Sequence, residues 1–428
     1  MNKALNRDSL VYGTALIIMV VMPVYHWYLP PFMILWSVLF LTGAARGITQ
    51  FRNTDPLHKS LFILFMLFYL WQICGMFYSD NPGEGWRNIE LHLSMLIFPL
   101  VMLAPGEMLR KKVALLLKVF TLSTFAFLLF CFAYALYRSL SISNGGLVFN
   151  PYLPDYTWLN YFFGSEFAVF QHTSYLSMFT LLSVFIALES FFDPLLTKKR
   201  RYVWLIIGMI LFISIYFLSS RAGILATILT IPLYLFIKLR KLGMSRFAVS
   251  VMIVFILVLI PLSMTNPRVN NYLKWRIEKD ETQFKVPEDR IIIWNAAKEI
   301  LKKNYLMGVG TGDIQSELNR EYHRTGNKKL AEVNTNAHNQ YFEIIAENGI
   351  PGLLLFLAIM GTMIWLAIRQ KNLIYLMFII MVFSSFMFET MLNRLAGVSF
   401  FSLFSFILMF LNKSGLNSKK NILASEDK

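Results

Sequence analysis

Runs of roughly 18 apolar residues, separated by short polar stretches, recur along almost the whole chain. An α-helix needs about 20 such residues to cross a bilayer. The pattern predicts twelve crossings, at 9–25, 30–45, 60–78, 88–104, 112–138, 172–192, 202–219, 222–238, 247–264, 351–368, 372–389 and 396–412. None shows the alternation of a membrane barrel strand. The expected fold is an all-α polytopic membrane protein with about 12 transmembrane helices. Lys3 and Arg7 precede the first run as in a signal peptide, but no small-residue cleavage site follows, so an uncleaved first helix is expected.

Residues 265–350 break the pattern with 86 mostly polar positions. Within Asp289–Lys302, Ile292, Ile293, Ala296 and Ile300 recur at the spacing of one helix face. A second helix is expected from about Asn336 to Asn348, stopped by Gly349 and then Pro351. Between them, Gly308, Gly310 and Gly312 mark a tight turn. Its "GVGTGD" run resembles part of a nucleotide-binding glycine pattern, but no parallel-sheet unit surrounds it, so no nucleotide site is expected. The expected organisation is helices 1–9 over 1–264, a helical loop over 265–350, helices 10–12 over 351–412 and a tail over 413–428. A second loop, 139–171, is rich in aromatics: Phe149, Tyr152, Tyr156, Trp158, Tyr161, Phe162 and Phe163. Such rings suit a membrane surface, and they also suit stacking on sugars.

Composition supports the membrane reading. Only 15% of residues are charged and mean hydropathy is +0.54, against about 25% charged in soluble domains. A cytosolic enzyme, a disordered chain and a disulfide-stapled module are excluded. The net charge of +15 would suggest nucleic acid in a soluble protein. Its distribution points elsewhere. With the N-terminus inside, 22 of the 40 Lys and Arg fall on inner segments and four in short outer loops, namely Arg87, Arg138, Arg221 and Arg394. Cytoplasmic segments carry such an excess, and long loops are exempt from the rule. The charge therefore reads as topology, with both termini cytoplasmic, 265–350 outside, membrane lipids as surroundings and no nucleic-acid partner. Cys74 and Cys131 fall in expected spans and read as packing residues.

Charge at membrane depth is costly and usually functional. Arg87, Glu90, His92, His172, Arg221, Glu389 and Arg394 lie near expected outer ends. Lys118 and Glu189 lie near the inner side, where they can snorkel. The chemistry is thus expected at the outer leaflet. Arg221, in "LSSRAG", carries a donor fork suited to phosphate oxygens, and equally suited to a helix cap or a lipid headgroup. Arg290 opens the amphipathic helix of the large loop, where it could simply pair with Asp289 or Glu288. His338, in "NTNAHNQYFEIIAENGIPG", is the residue type best placed for proton transfer near neutrality, though an isolated surface histidine is the plainer reading. No histidine pair has metal-ligand spacing and no Asp-x-Asp lies in an outer loop. A site without metal or cofactor is expected, with arginines stabilising charge.

Three motifs carry a family resemblance: "SSRAG" between two spans, "DRIIIWNAAKEILKKNYLMGVGTGD", and "HNQYFEIIAENGIPG" with His338, Asn339, Gly349 and Gly352 at a ligase-type spacing. Together with the topology, they resemble the O-antigen ligase / O-antigen polymerase superfamily of bacterial membrane glycosyltransferases. The motifs cover roughly residues 200–412, and the first half matches by topology alone. The resemblance implies a GT-C-like layout in the bacterial inner membrane with a periplasmic active site. It implies an undecaprenyl diphosphate-linked glycan donor and a lipid A-core or other glycan acceptor. Arg221 and Arg290 match the diphosphate-binding arginines, and His338 matches the catalytic histidine. Arg87, His172, Asn339 and Glu389 are further pocket candidates by position. A polymerase or a protein O-oligosaccharyltransferase would share donor and chemistry. A lipid-linked glycan transporter would instead show internal repeats and a midplane charge cluster, and neither is evident in the sequence.

Overall fold

The computed structural model describes residues 7–43, 49, 51–52, 54–103, 105–143, 146–153, 156–266, 270 and 287–411. The expected tail 413–428, residues 271–286 of the large loop, and the side chains of Tyr156, Trp158, Glu288 and Asp289 lie outside the described residues.

The helices, in chain order, begin with α1 (Arg7–Val24), α2 (Leu29–Leu41), α3 (Pro56–Gly75), α4 (Pro82–His92), α5 (Ser94–Leu103), α6 (Gly106–Lys111) and α7 (Val113–Ser139). Then come α8 (Ser165–Ala168), α9 (Thr173–Phe191), α10 (Lys198–Leu218), α11 (Arg221–Lys241) and α12 (Ser245–Thr265). The last are α13 (Pro287–Asn304), α14 (Ile314–Arg324), α15 (Lys328–Glu332), α16 (Gln340–Arg369), α17 (Leu373–Phe386) and α18 (Leu395–Ile407). Among the described residues, eight helices are long and apolar enough to cross a bilayer, and three apolar helices are shorter. The chain is an all-α polytopic membrane protein. The expected span 88–104 is not one helix. The polar α4 stops at His92, Leu93 turns, and the apolar α5 restarts at Ser94 with Pro99 inside it.

Helices that are apolar all round belong in the centre of a bundle, and α9 and α18 occupy it. Nearly every α9 residue is buried, as is every α18 residue from Ala396 onward. The contacts are aromatic: Phe62 stacks on Phe406 at 4.7 Å, and Phe179 and Phe120 meet Phe400 and Phe404 at 4.7 and 4.8 Å. Helix α12 lies at the rim, with only 11% of its apolar window buried, as a lipid-facing helix would. Between α9 and α11, Glu189 pairs with Lys238 at 2.5 Å.

Helices α13 to α15 form a lobe with its own small core. Ile293, Ala296, Ala297 and Ile300 of α13 pack against Leu318 and Tyr322 of α14, so the predicted stripe is the buried one. The lobe docks through the glycine turn. Gly308 and Gly310 take φ of +79° and +99°, a region that glycine enters without steric cost. The N–H groups of Val309 and Gly310 donate to the carbonyls of Ala346 and Glu347 (2.9 and 3.0 Å). A Cβ on Gly308 would lie 2.3 Å from the Glu347 oxygen, and one on Gly349 would lie 2.4 Å from the Leu306 oxygen. Asp313 then clasps the end of the α3 region, accepting from the Asp80 and Asn81 N–H groups (2.8 and 2.9 Å). The glycine run is thus a seam between lobe and bundle. Opposite it, Gly349 (φ +65°, ψ −169°) kinks α16 where the sequence places its stop.

Loop 139–171 contains two antiparallel hairpins, Leu140–Ser143 with Gly146–Phe149 and Tyr152–Leu153 with Tyr156–Asn160. Its aromatics divide. Tyr161 is buried under the Arg138 guanidinium, 4.1 Å from its ring centre, and Phe163 packs on Tyr216 and Phe217. Phe149 and Tyr152 are exposed.

Candidate functional site

His338 lies in the turn that enters α16. Its φ of +46° is left-handed, a conformation rare for a residue with a side chain and often found at functional sites. Local bonds hold it there. Asn336 Oδ1 accepts from the His338 N–H (3.1 Å), and Glu343 Oε2 accepts from the Ala337 N–H (3.1 Å). Asn339 caps α16, its Oδ1 accepting from the N–H groups of Tyr341 and Phe342 (3.0 and 3.1 Å), and its Nδ2 donates to the Met387 carbonyl (3.2 Å). The imidazole faces Glu389, with Nδ1 3.4 Å from Oε2. An ionised carboxylate only accepts, so in the neutral ring Nδ1 carries the proton and Nε2 keeps a lone pair.

Glu389 belongs to the turn between α17 and α18. Asn393 of that turn donates to Glu343 Oε1 (2.7 Å) and the Leu392 N–H donates to Gln340 Oε1 (2.7 Å), which fixes the turn against α16. Arg290 Nη2 donates to the Phe388 carbonyl (3.1 Å), and its guanidinium stands 5.7 Å from the Phe388 ring centre. On the other side, Ser174 Oγ donates to Glu389 Oε1 (3.3 Å). His172 caps α9, its Nδ1 accepting from the Ser174 N–H (3.3 Å). Burial pushes the Glu389 carboxyl upward. The hydrogen bond and charge of His338, with the charges of His172 and Arg290, outweigh that and hold it below the usual carboxylate range.

Arg221 is the first residue of α11. Ser219 ends α10 in a left-handed conformation (φ +51°), and Asn266 Nδ2 clamps the turn by donating to the Tyr216 carbonyl (2.8 Å) and Ser219 Oγ (3.0 Å). Ser220 caps α11, accepting from the Gly223 N–H (3.1 Å), and its own hydroxyl donates to Ser174 Oγ (3.3 Å). The start of α11 is therefore joined to Glu389 through two serines. Beside this turn, an apolar cavity of about 250 Å³ opens between α10, α11 and α12, lined by Tyr216, Phe217, Ile224, Thr227, Leu259 and Leu262 among others.

The structure thus gathers His338, Asn339, Glu389, His172 and Arg290, and connects Arg221 to them through its helix cap. It does not bring Arg87 in by any described contact: that side chain is 78% exposed and lies 3.6 Å from Glu84. His92 is a buried brace whose Nδ1 donates to the Asn88 carbonyl (2.8 Å). Sequence reasoning missed Ser174, Ser220 and Glu343. Ser220 ends an apolar run directly before the next helix, which is an N-cap signature. The other two carry no local signal. Among the described residues, no three His, Cys, Asp or Glu side chains are grouped to hold a metal ion.

A protein-family model described as O-antigen ligase matches residues 206–357, a stretch that includes Arg221, Arg290 and His338. No curated protein matches the chain.

Proposed function

We propose, on the premise that this chain belongs to the O-antigen ligase superfamily by its match over residues 206–357, that it transfers a glycan from undecaprenyl diphosphate to an acceptor hydroxyl at the periplasmic face of the bacterial inner membrane. The family supports ligase-like or polymerase-like glycan transfer, with a lipid-linked glycan and a glycan acceptor as partners. The lipid A-core acceptor is the finer part of the proposal. The main support for base-assisted glycan transfer is the pairing of His338 with Glu389, beside Arg290 and linked to the start of α11.

Glu389 holds the imidazole so that Nε2 is free to take the acceptor's proton. The acceptor oxygen attacks the anomeric carbon, and the bond from that carbon to the phosphate oxygen breaks on the opposite side. The anomeric centre inverts, the proton ends on Nε2, and undecaprenyl diphosphate leaves carrying the new negative charge. Arg221 and Arg290 meet that charge with preorganised donors, the electrostatic mode of catalysis. The apolar cavity beside Arg221 offers a berth for the nearest isoprene units while the rest of the tail stays in lipid.

The test gives the purified protein a defined undecaprenyl diphosphate glycan together with lipid A-core, free glycan or a serine-bearing protein. Product is expected with lipid A-core. Product with free glycan alone makes the protein a polymerase, and product with the protein acceptor makes it a protein O-oligosaccharyltransferase. Folded His338→Ala is expected to lose about 10²–10⁴-fold in rate. Arg221→Ala and Arg290→Ala should each lose roughly 10- to 100-fold, the worth of a charged hydrogen bond. Undiminished turnover in His338→Ala removes the base from the scheme.

A further inference from the structure

We infer that Ser174, on α9, is a positioning residue for His338, the middle of a one-way hydrogen-bond chain that runs from the start of α11 through Ser220, Ser174 and Glu389 to the imidazole. This rests on the reading of His338 as the base. The direction of the chain follows from its ends. The Gly223 N–H can only donate, so it donates to Ser220 Oγ (3.1 Å). Ser220 then gives its own proton to Ser174 Oγ (3.3 Å), and Ser174 gives its proton to Glu389 Oε1 (3.3 Å). That leaves Glu389 Oε2 for the proton on His338 Nδ1 (3.4 Å). Every hydroxyl gives one proton and receives one, so no other orientation satisfies both ends. The two hydroxyl links are long for O–H···O bonds, and contacts of this kind tighten when substrate is bound.

Ser174 is 4% exposed and Ser220 1%. Water therefore does not readily replace either hydroxyl, and removing one leaves the carboxylate short of a donor in a dry place. Facing Glu389 are His338 from the turn before α16, His172 and Tyr175 from α9, and Arg290 from α13. Facing His338 are Glu389 and Glu343. Among the described residues around Glu389, Ser174 supplies a neutral hydroxyl donor to Oε1 and so fixes where it points. Arg221 immediately follows Ser220, so the residue assigned to the diphosphate and the residue assigned to the proton hang on the same chain.

The sign of the effect is set by the donor. Taking the Ser174 hydroxyl away leaves more of the Glu389 charge to hold imidazolium, so the acidic limb of kcat moves to higher pH. Orientation also loosens. In the undecaprenyl diphosphate glycan assay, with an acceptor that wild type uses, Ser174→Ala is expected to lower kcat about 3- to 10-fold at neutral pH. The donor KM should change little and the acidic limb should move up by a few tenths of a pH unit. Ser174→Thr, which keeps the hydroxyl, should restore both. Ser174→Cys fills the same space with a weak donor and should behave as Ala does, which keeps the test usable if the Ala variant does not fold. Wild-type kcat and an unmoved limb in the folded Ala or Cys variant, with His338→Ala inactive, overturn the inference and leave the base reading standing. Full turnover in His338→Ala overturns both.

Discussion

At residue scale, Glu389 is the hinge of the candidate site, because it touches His338, Ser174 and, through its neighbour Phe388, Arg290. Its carboxyl is held below the usual carboxylate range by His338, His172 and Arg290 against the opposing effect of burial. A group with a depressed folded value stabilises the fold above its unfolded pKa, near 4.3 for glutamate, and that contribution is lost as pH falls through the folded value. Glu389→Gln should therefore melt about 2–4 °C lower than wild type at pH 7. The two melting temperatures should converge only once the pH has fallen below that depressed folded value, where the wild-type carboxyl is also neutral. Thermal unfolding in detergent across that range measures this, and a constant gap at all pH values would show that charge is not the cause. Arg221 could be picked out in the sequence as a charge at a membrane boundary, whereas Arg290 and His338 read locally as ordinary surface residues and stood out only through the family resemblance. Ser174 and Glu343 could not. A buried serine inside an apolar helix looks like any other small residue until the partner turn, 215 positions away for Ser174, is folded against it.

At element scale, periodicity was sufficient for the helices and insufficient for their joins. The stripe of Ile293, Ala296 and Ile300 became the lobe core, and Gly349 became the kink, because both depend on neighbours in the chain. The expected span 88–104 failed as one helix because the polar last turn of α4, Asn88–His92, was joined to the apolar α5 across the turn at Leu93. The hairpin after α7 was overshadowed by aromatic content, although the Asn144–Gly145 pair in the sequence is a strong hairpin signal. The glycine run looked like nucleotide chemistry in part and is a docking surface in fact. Gly308→Ala places a carbon 2.3 Å from the Glu347 oxygen in a left-handed position. It should cost at least 1–3 kcal/mol for the strained backbone alone, seen as a lower melting temperature and increased protease cleavage of the lobe. An Ala variant as stable as wild type would contradict the close approach.

At the scale of the whole molecule, the proposed outer-face position of the candidate site rests on the distribution of Lys and Arg, with 22 of 40 on the expected inner segments and four in the expected short outer loops. Substituted cysteines test this in intact cells, after Cys74 and Cys131 are replaced by serine or alanine. A membrane-impermeant thiol reagent should label position 328 in the lobe without lysis, and position 198 or 241 only after the inner membrane is opened. The reverse pattern would put the candidate site on the cytoplasmic side and overturn the proposed periplasmic transfer.

The seam between Gly308 and Gly349 has a bearing on protein engineering as well. Two stretches of main chain meet there with no side chains between them, so the fit is one of shape, carried by two segments about forty positions apart. A hybrid that borrows the lobe from a relative but keeps its own membrane helix would join mismatched halves of one surface. Workable exchange points lie beyond the kink, so that both halves of the seam travel together and the imidazole keeps its footing.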